Sequence, residues 1–194
     1  WSAPGNWREQ IAPTGGEDLV FQGGGFGQDP DAMENNLRNL TVRSMLFNIT
    51  GTAGLDSTSR LSGNTLGITD YIQVFSATDG RVFISCGLRL EGNVRFIIEQ
   101  APDHNPDLEL HLDGPIDLNG HNLEVIAGGG TLVDISGAIS GNGNIVLSGG
   151  ANSNVGISGP EGNTFRGTVS VRFTSGAVGF PPHIVLRKQS GAAV

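Results

Sequence analysis

The strongest constraint on the fold of this chain is a short phrase that recurs about every 22 residues, a period within the range of repeat architectures. Leu90, Leu112 and Ile135 each begin a run of apolar residue, spacer, glycine, spacer and apolar residue, at nearly equal intervals. Ile157-x-Gly159 follows after a similar interval, and turns rich in Asn and Gly lie between the phrases. Self-similarity of this kind is typical of solenoids, in which each repeat is one structural unit stacked on the last.

The segments between the turns predict strands rather than helices. Apolar residues alternate with polar ones, as in 108–112 and 123–125, which is the period of a half-buried strand. A leucine-rich repeat has a similar period but needs an L-x-x-L-x-L-x-x-N frame that is missing, and a propeller blade needs roughly 40 residues. We therefore predict an all-β chain folded as a parallel β-helix, with coils about 4.8 Å apart.

Stacking of equivalent positions predicts continuous columns inside this solenoid. Leu90, Leu112, Ile135 and Ile157 are expected to form one apolar column, since they hold the same place in successive phrases. Glycines at equal offsets are expected where the chain turns with positive φ or passes close to the neighbouring coil. Asn tolerates the left-handed conformation and is expected to form ladders at the corners.

The repeat also predicts the organisation of the chain. Residues 1–40 lack the phrase and are expected to form an N-terminal cap and the first strands, with one short helix in 29–40. Residues 41–180 are expected to form the rungs of the β-helix. Counted over residues 18–180, the solenoid is expected to have about seven rungs and a length of roughly 35 Å. Residues 181–194 are interpreted as a C-terminal cap or the end of a truncated rod. Loops are expected at 22–34, 69–81 and 99–107.

Composition and charge argue against several classes of partner. The chain has 31 glycines in 194 residues and a formal net charge of −8. This charge opposes binding to nucleic acid and to anionic membrane surfaces. No apolar run approaches the ~18 residues of a membrane span, so we expect no membrane insertion by this segment. The single cysteine, Cys86, excludes an internal disulfide and is interpreted as a buried apolar residue.

Several phrases, in this order, resemble the passenger regions of autotransporter-type bacterial surface proteins, specifically the autotransporter-associated β-strand repeat proteins. The matching residues are Trp1 and Trp7, 18–21, 47–48, 61–68, 135–147 and 162–171. The resemblance covers most of residues 1–171. It implies a right-handed β-helix, a location outside the cell or on its surface, and no fixed enzymatic activity, and it carries over no catalytic residue. The family's K-x-G-x-G-x-L-x-L phrase is replaced by a different sequence before Asn163.

Two clusters of oxygen and nitrogen ligands are candidate metal sites, and no other cofactor is expected. Asp29, Asp31 and Glu34 form the first, which resembles an incomplete calcium loop; acidic residues at a helix start are the alternative. The second, within 103–113, centres on Asp107, Glu109 and His111, which a strand would place on one face opposite the leucines between them. Calcium would suit the carboxylates but not His111, and a solvated outer face is the simpler explanation of the pattern.

Three functions fit the sequence. The first is a non-catalytic structural or adhesive module of a bacterial cell-surface or secreted β-helix, acting as a rigid rod for display or attachment to a host surface or a glycan. The second is a β-helix enzyme that cleaves polysaccharides, which would need clustered carboxylates or calcium beside a basic residue. The third is a subunit that stacks end to end into an extracellular fibre, since uncapped β-helix ends are templates for pairing.

Overall fold

The computed structural model of the chain describes residues 1–23, 32–50, 57–100, 107–159, 162–173 and 182–186. The regular elements of these residues are one 3₁₀ turn, Pro4–Asn6, and strands, joined by turns and bends. In chain order the strands are β1 Asp18–Gly23, β2 Ala32–Asn35, β3 Thr41–Ile49, β4 Ser57–Gly63, β5 Leu66–Ser76, β6 Gly80–Ile84, β7 Leu88–Leu90, β8 Val94–Gln100, β9 Leu108–Leu112, β10 Ile116–Asp117, β11 Leu123–Ala127, β12 Thr131–Ile135, β13 Ile139–Ser140, β14 Ile145–Gly149, β15 Asn154–Ile157, β16 Val169–Phe173 and β17 His183–Leu186. Within the described ranges, no helix has the length and apolar character that a membrane span requires.

The strands form two sheets wound around one apolar core, and every pairing between named strands is parallel. The first sheet has ten strands and includes the path β13-β10-β7-β5-β8-β11-β14-β16, while β1 joins it through β3. The second sheet has the order β17-β15-β12-β9-β6-β4-β2. The chain therefore alternates between the sheets as it advances, which confirms the predicted all-β solenoid of stacked parallel strands. Its handedness, the number of about seven rungs and the domain limits stay predictions.

Alternation along the central strands separates the interior from the solvent-facing surface. In β9 the residues at 108, 110 and 112 are buried, while Glu109 and His111 are partly exposed. β6, β11 and β12 repeat the same pattern. Every second side chain of these strands therefore enters the core, as the two-residue period of the sequence predicted.

One interior column in the second sheet runs through Ile84, Leu112, Ile135 and Ile157, which are register partners in successive coils. Three of these residues were predicted to share a column. The prediction that Leu90 also belongs to this column was wrong, because Leu90 lies on β7 in the first sheet and pairs with Ile68. The glycine phrase misled here because Gly92 packs on the Thr69 carbonyl, at a different corner from Gly114.

The corner after this column is built on glycine. A Cβ placed on Gly137 would lie 2.0 Å from the carbonyl oxygen of Gly114, and one placed on Gly114 would lie 2.1 Å from the carbonyl oxygen of Cys86. The coils therefore approach too closely here for any side chain on the glycine of the upper coil. Cys86 holds the equivalent position in the lower coil and keeps its side chain in the interior, 1% exposed.

Asparagines form the predicted ladder at a second corner. The Asn93 Oδ1 accepts a hydrogen bond from the Asn122 backbone N–H at 3.0 Å, and the Asn122 Oδ1 accepts one from the Asn144 backbone N–H at 3.0 Å. The Asn144 Oδ1 then accepts from the Thr168 backbone N–H at 3.0 Å. Elsewhere Asn119 and Asn152 take the left-handed conformation, with φ of 49° and 60°. Asparagine thus forms the hydrogen-bonded ladder at one set of corner positions and takes the left-handed conformation at others.

Two local predictions were wrong. Residues 32–35, inside the segment expected to hold a short helix, form β2 and pair with β4. Most of the predicted loop 69–81 belongs to β5, which continues to Ser76 and pairs with β3 and β8. In both places sheet pairing with another coil outweighs a local preference for helix or turn. Residues 24–31 and 101–106, which hold much of the other two predicted loops, lie outside the described residues.

Candidate functional site

The first predicted metal cluster is only partly described by the structure. Asp29 and Asp31 lie outside the described residues. Glu34 lies on β2, is exposed, and lines a cleft at the start of the solenoid. Among the residues that the structure describes, no group of three or more His, Cys, Asp or Glu side chains is arranged to hold a metal ion.

The second predicted cluster lies on the outer face of β9. Asp107 precedes the strand, and its backbone N–H donates to the Asp79 Oδ1 at 3.0 Å. Glu109 and His111 lie two residues apart on the strand, with Glu109 Oε2 2.8 Å from His111 Nε2. Arg81, on the neighbouring β6, places its Nε 3.2 Å from the same carboxylate. The carboxylate of Glu109 therefore already has two nitrogen partners from the protein.

His111 belongs to a row of outward side chains along the rod axis. Its ring stacks on Phe83 with centroids 4.6 Å apart and planes inclined by 9°, and the Arg60 guanidinium lies 4.2 Å from the Phe83 centroid on the other side. Asp134 is the register partner of His111 in the next coil. The faces of the Phe83 and His111 rings point along the rod axis, so these contacts between neighbouring coils stabilise their stacking. The edges of the rings are turned towards solvent.

A cleft of about 550 Å³ lies at the N-terminal end of the solenoid. Its volume falls within the range of roughly 300–1,000 Å³ that small-ligand sites occupy. Aromatic and apolar side chains form part of its lining and polar side chains form the rest. The lining residues are Trp1, Asn6, Trp7, Arg8, Val20, Phe21, Gln22, Met33, Glu34 and Asn36.

Three aromatic rings of this cleft form a fixed group. The Trp1 and Trp7 centroids are 5.8 Å apart at nearly a right angle, and the Trp1 and Phe21 centroids are also 5.8 Å apart. Phe21 in turn stacks at 4.8 Å on Phe47, which is 1% exposed. The Trp7 Nε1–H donates to the Trp1 carbonyl at 2.9 Å. Each ring is therefore held by the core or by another ring before any ligand arrives.

The strand that carries Phe21 is tied to the next coil by an ion pair. Asp18 on β1 accepts hydrogen bonds from the Arg43 guanidinium and, at 2.6 Å, from the Ser44 hydroxyl on β3. The hydrogen bonds from Arg43, then that from Ser44, lower the pKa of Asp18 to about 2. Asp18 consequently stays ionised over the whole physiological range and keeps β1, with Phe21, in register.

Cys86 offers no nucleophile at the surface. Burial raises the pKa of its thiol to about 11, because the thiolate would lose hydration in the apolar core. The thiol is therefore neutral near pH 7. Its prediction as a small buried apolar residue is confirmed.

Sequence reasoning did not identify the cleft as a site. Trp1, Trp7 and Phe21 were noted only as parts of the family resemblance, and Glu34 only as a metal candidate. One signal was present: both tryptophans of the chain occur close to its start, at positions 1 and 7. Met33 and Glu34 of the lining come from β2, and nothing in the local sequence shows that β2 lies beside these aromatic residues.

Comparisons of the chain with protein-family models, with curated proteins and with solved structures returned no match.

Proposed function

We propose that this chain is a non-catalytic structural and adhesive module of a bacterial cell-surface or secreted β-helix protein. In this function the chain serves as a rigid rod for display or for attachment. The observation that carries the proposal is the continuous stack of parallel strands around one core. The resemblance of its phrases to autotransporter-associated repeats supports the bacterial surface location.

Rigidity follows from the way the coils are joined. β8, β11 and β14 pair over five consecutive residues at each step, with Val94, Leu123 and Ile145 in one register position. All three of these side chains are at most 1% exposed. Bending the rod between two coils would break sheet hydrogen bonds and open this close-packed column at the same time. A stack of this kind therefore holds its ends at a fixed separation.

The location is tested by labelling intact cells of the source organism with antibodies raised against the folded chain. We expect the antibodies to bind intact cells, or the culture medium to contain the protein, with a cytoplasmic protein as the negative control. Labelling only after the cells are permeabilised would refute the surface assignment.

A second candidate function, the end-to-end fibre subunit, is favoured by the exposed end of the first sheet. β16 is the terminal strand of its path and continues the interior register, so that Leu147 pairs with Val171 and Gly149 with Phe173. Val171 is 41% exposed and Phe173 is 63% exposed. Apolar residues of the interior column are thus presented at the surface, where another coil could cover them.

Sedimentation of the purified chain over a range of concentrations tests this candidate. If copies stack, the sedimentation coefficient rises with concentration, and Val171→Lys abolishes the rise because the charge would have to be buried. Ser170→Lys is the matched control, since it adds the same charge to the neighbouring residue, which faces away from the interior. A monodisperse particle of about 20 kDa at all concentrations rules this function out.

A further inference from the structure

We infer that the N-terminal cleft binds a neutral carbohydrate. The inference rests on the proposed adhesive function and adds to it a ligand class and a site. A sugar ring has a face of C–H groups, which pack on aromatic rings, and an edge of hydroxyl groups, which hydrogen-bond to polar side chains. The cleft presents both kinds of surface in about 550 Å³.

The apolar part of the cleft comes from rings that keep some surface free. Trp7 and Phe21 are each half-buried, and Met33 beside them is also half-buried, whereas Trp1 is 8% exposed and supports the other two rings from behind. Because Phe21 is stacked on the buried Phe47, its position does not depend on the ligand. A ligand that packs on these rings would not have to order them first, so little conformational entropy is lost on binding.

The polar part of the cleft supplies unused hydrogen-bonding groups. Asn6, Arg8, Gln22 and Glu34 are exposed, and the structure shows no hydrogen bond from any of their side chains to another described residue. They provide two amides, a guanidinium and a carboxylate, which together donate and accept. Sugar hydroxyl groups both donate and accept, and they match such a mixed set better than a purely apolar ligand, which would strip the polar groups of water without replacement.

The charges of the cleft favour a neutral sugar over an acidic one. Arg8 and Glu34 contribute one positive and one negative side chain to its lining, so they offset each other. The chain as a whole carries a formal net charge of −8, which repels anionic ligands at a distance. Among the described residues that line the cleft, Arg8 supplies the one guanidinium that could counter this repulsion of a uronic acid or a sulfated glycan.

Tryptophan fluorescence reports on this site selectively, because the chain has two tryptophans and both line the cleft. The full chain is titrated with neutral oligosaccharides of glucose, galactose, mannose and N-acetylglucosamine, up to millimolar concentrations. We expect at least one of them to shift the tryptophan emission saturably. Gln22→Ala and Asn6→Ala should each weaken that binding about three- to tenfold, the effect of one lost hydrogen bond.

Gln73→Ala is the matched control, because Gln73 lies on β5, does not line the cleft, and contacts Glu99 instead. Its affinity for the sugar should equal that of the unaltered chain, and circular dichroism should show that all variants keep the sheet. Failure of every oligosaccharide to shift the emission overturns the inference. So does equal binding by Gln22→Ala, or a response only to an apolar dye or to an extended peptide. Antibody labelling of intact cells does not depend on these titrations, so either proposal can fail without the other.

Discussion

At the scale of single residues, a distance rather than a turn type decides where glycine is required. Gly137 is such a position, because its missing Cβ would meet the backbone of Gly114 at 2.0 Å. The Gly114 backbone, whose N–H donates to the Ile84 carbonyl at 3.1 Å, cannot move aside as the end of a flexible side chain can. Glycine is therefore the only residue that lets these two coils keep their spacing.

Gly137→Ala should accordingly destabilise the chain by about 2 kcal/mol or more, the cost of overpacking a rigid site. The measurement is the free energy of unfolding in urea. Gly162→Ala is the matched control, since no atom lies within 4 Å of a Cβ built at that position, and it should change the stability little. Equal effects of the two substitutions would contradict the close approach.

Cys86 should lower the free energy of unfolding of the chain as the pH rises into the alkaline range. Burial raises the pKa of its thiol from an ordinary value of about 9 to about 11. Below the ordinary value the thiol is neutral in both states and contributes no pH dependence. As the pH rises from about 9 towards 11, only the unfolded chain ionises, so the free energy of unfolding should fall by about 1.4 kcal/mol per pH unit. Cys86→Ala should lack this component of the decline, and a parallel pH profile for both chains would refute the assignment.

At the scale of elements, the side-chain ladder at the corner joins β8, β11 and β14 before each strand begins. Asn122→Ala removes the Oδ1 that accepts from the Asn144 backbone at 3.0 Å and from its Nδ2 at 3.1 Å. We expect a loss of about 1 kcal/mol in the free energy of unfolding. Asn142→Ala is the control, because the hydrogen bond described for this exposed residue uses its backbone carbonyl. A loss as large in the control would show that the ladder has no special contribution.

The elements also show what the sequence could and could not predict. Alternation at 108–112 correctly predicted which side chains of β9 are buried, because a strand has a period of two regardless of its neighbours. The column from Leu112 to Ile157 was found because those coils have nearly equal lengths. The coil between Ile84 and Leu112 is longer than the coils that follow it, which breaks the period. The phrase at Leu90 was consequently placed in the wrong sheet.

The candidate site was harder to predict than the fold for a physical reason. Its aromatic rings and its polar residues come from β1, from β2 and from the segment before them, so the cleft exists only after the first coil closes. Of the predicted ligand residues, Glu109 and His111 do contact each other, which their spacing on one strand suggested. The Arg81 that shares Glu109 lies one coil earlier in the chain and cannot be inferred from the local phrase.

At the scale of the whole molecule, stability should vary along the rod. In a solenoid each coil contacts only its neighbours, so a coil in the middle is held from two sides and a terminal coil from one. Amide hydrogen exchange should be slowest in β8 and β11 and faster in β16 and β17, where Phe173 and Leu186 are 63% and 59% exposed. Uniform protection along the chain would show that the rod unfolds as one cooperative unit and would contradict this gradient.

The matched register of β11 and β14 has a consequence for how such a chain changes length in evolution. Leu123 lies over Val94 below it and under Ile145 above it, in an equivalent setting on either side. A gene segment encoding one whole turn could therefore be duplicated or lost by recombination, and the surviving neighbours would meet with compatible faces. Growth by whole units leaves the two extremities unaltered, so the spacing between them can be selected separately from what each extremity recognises.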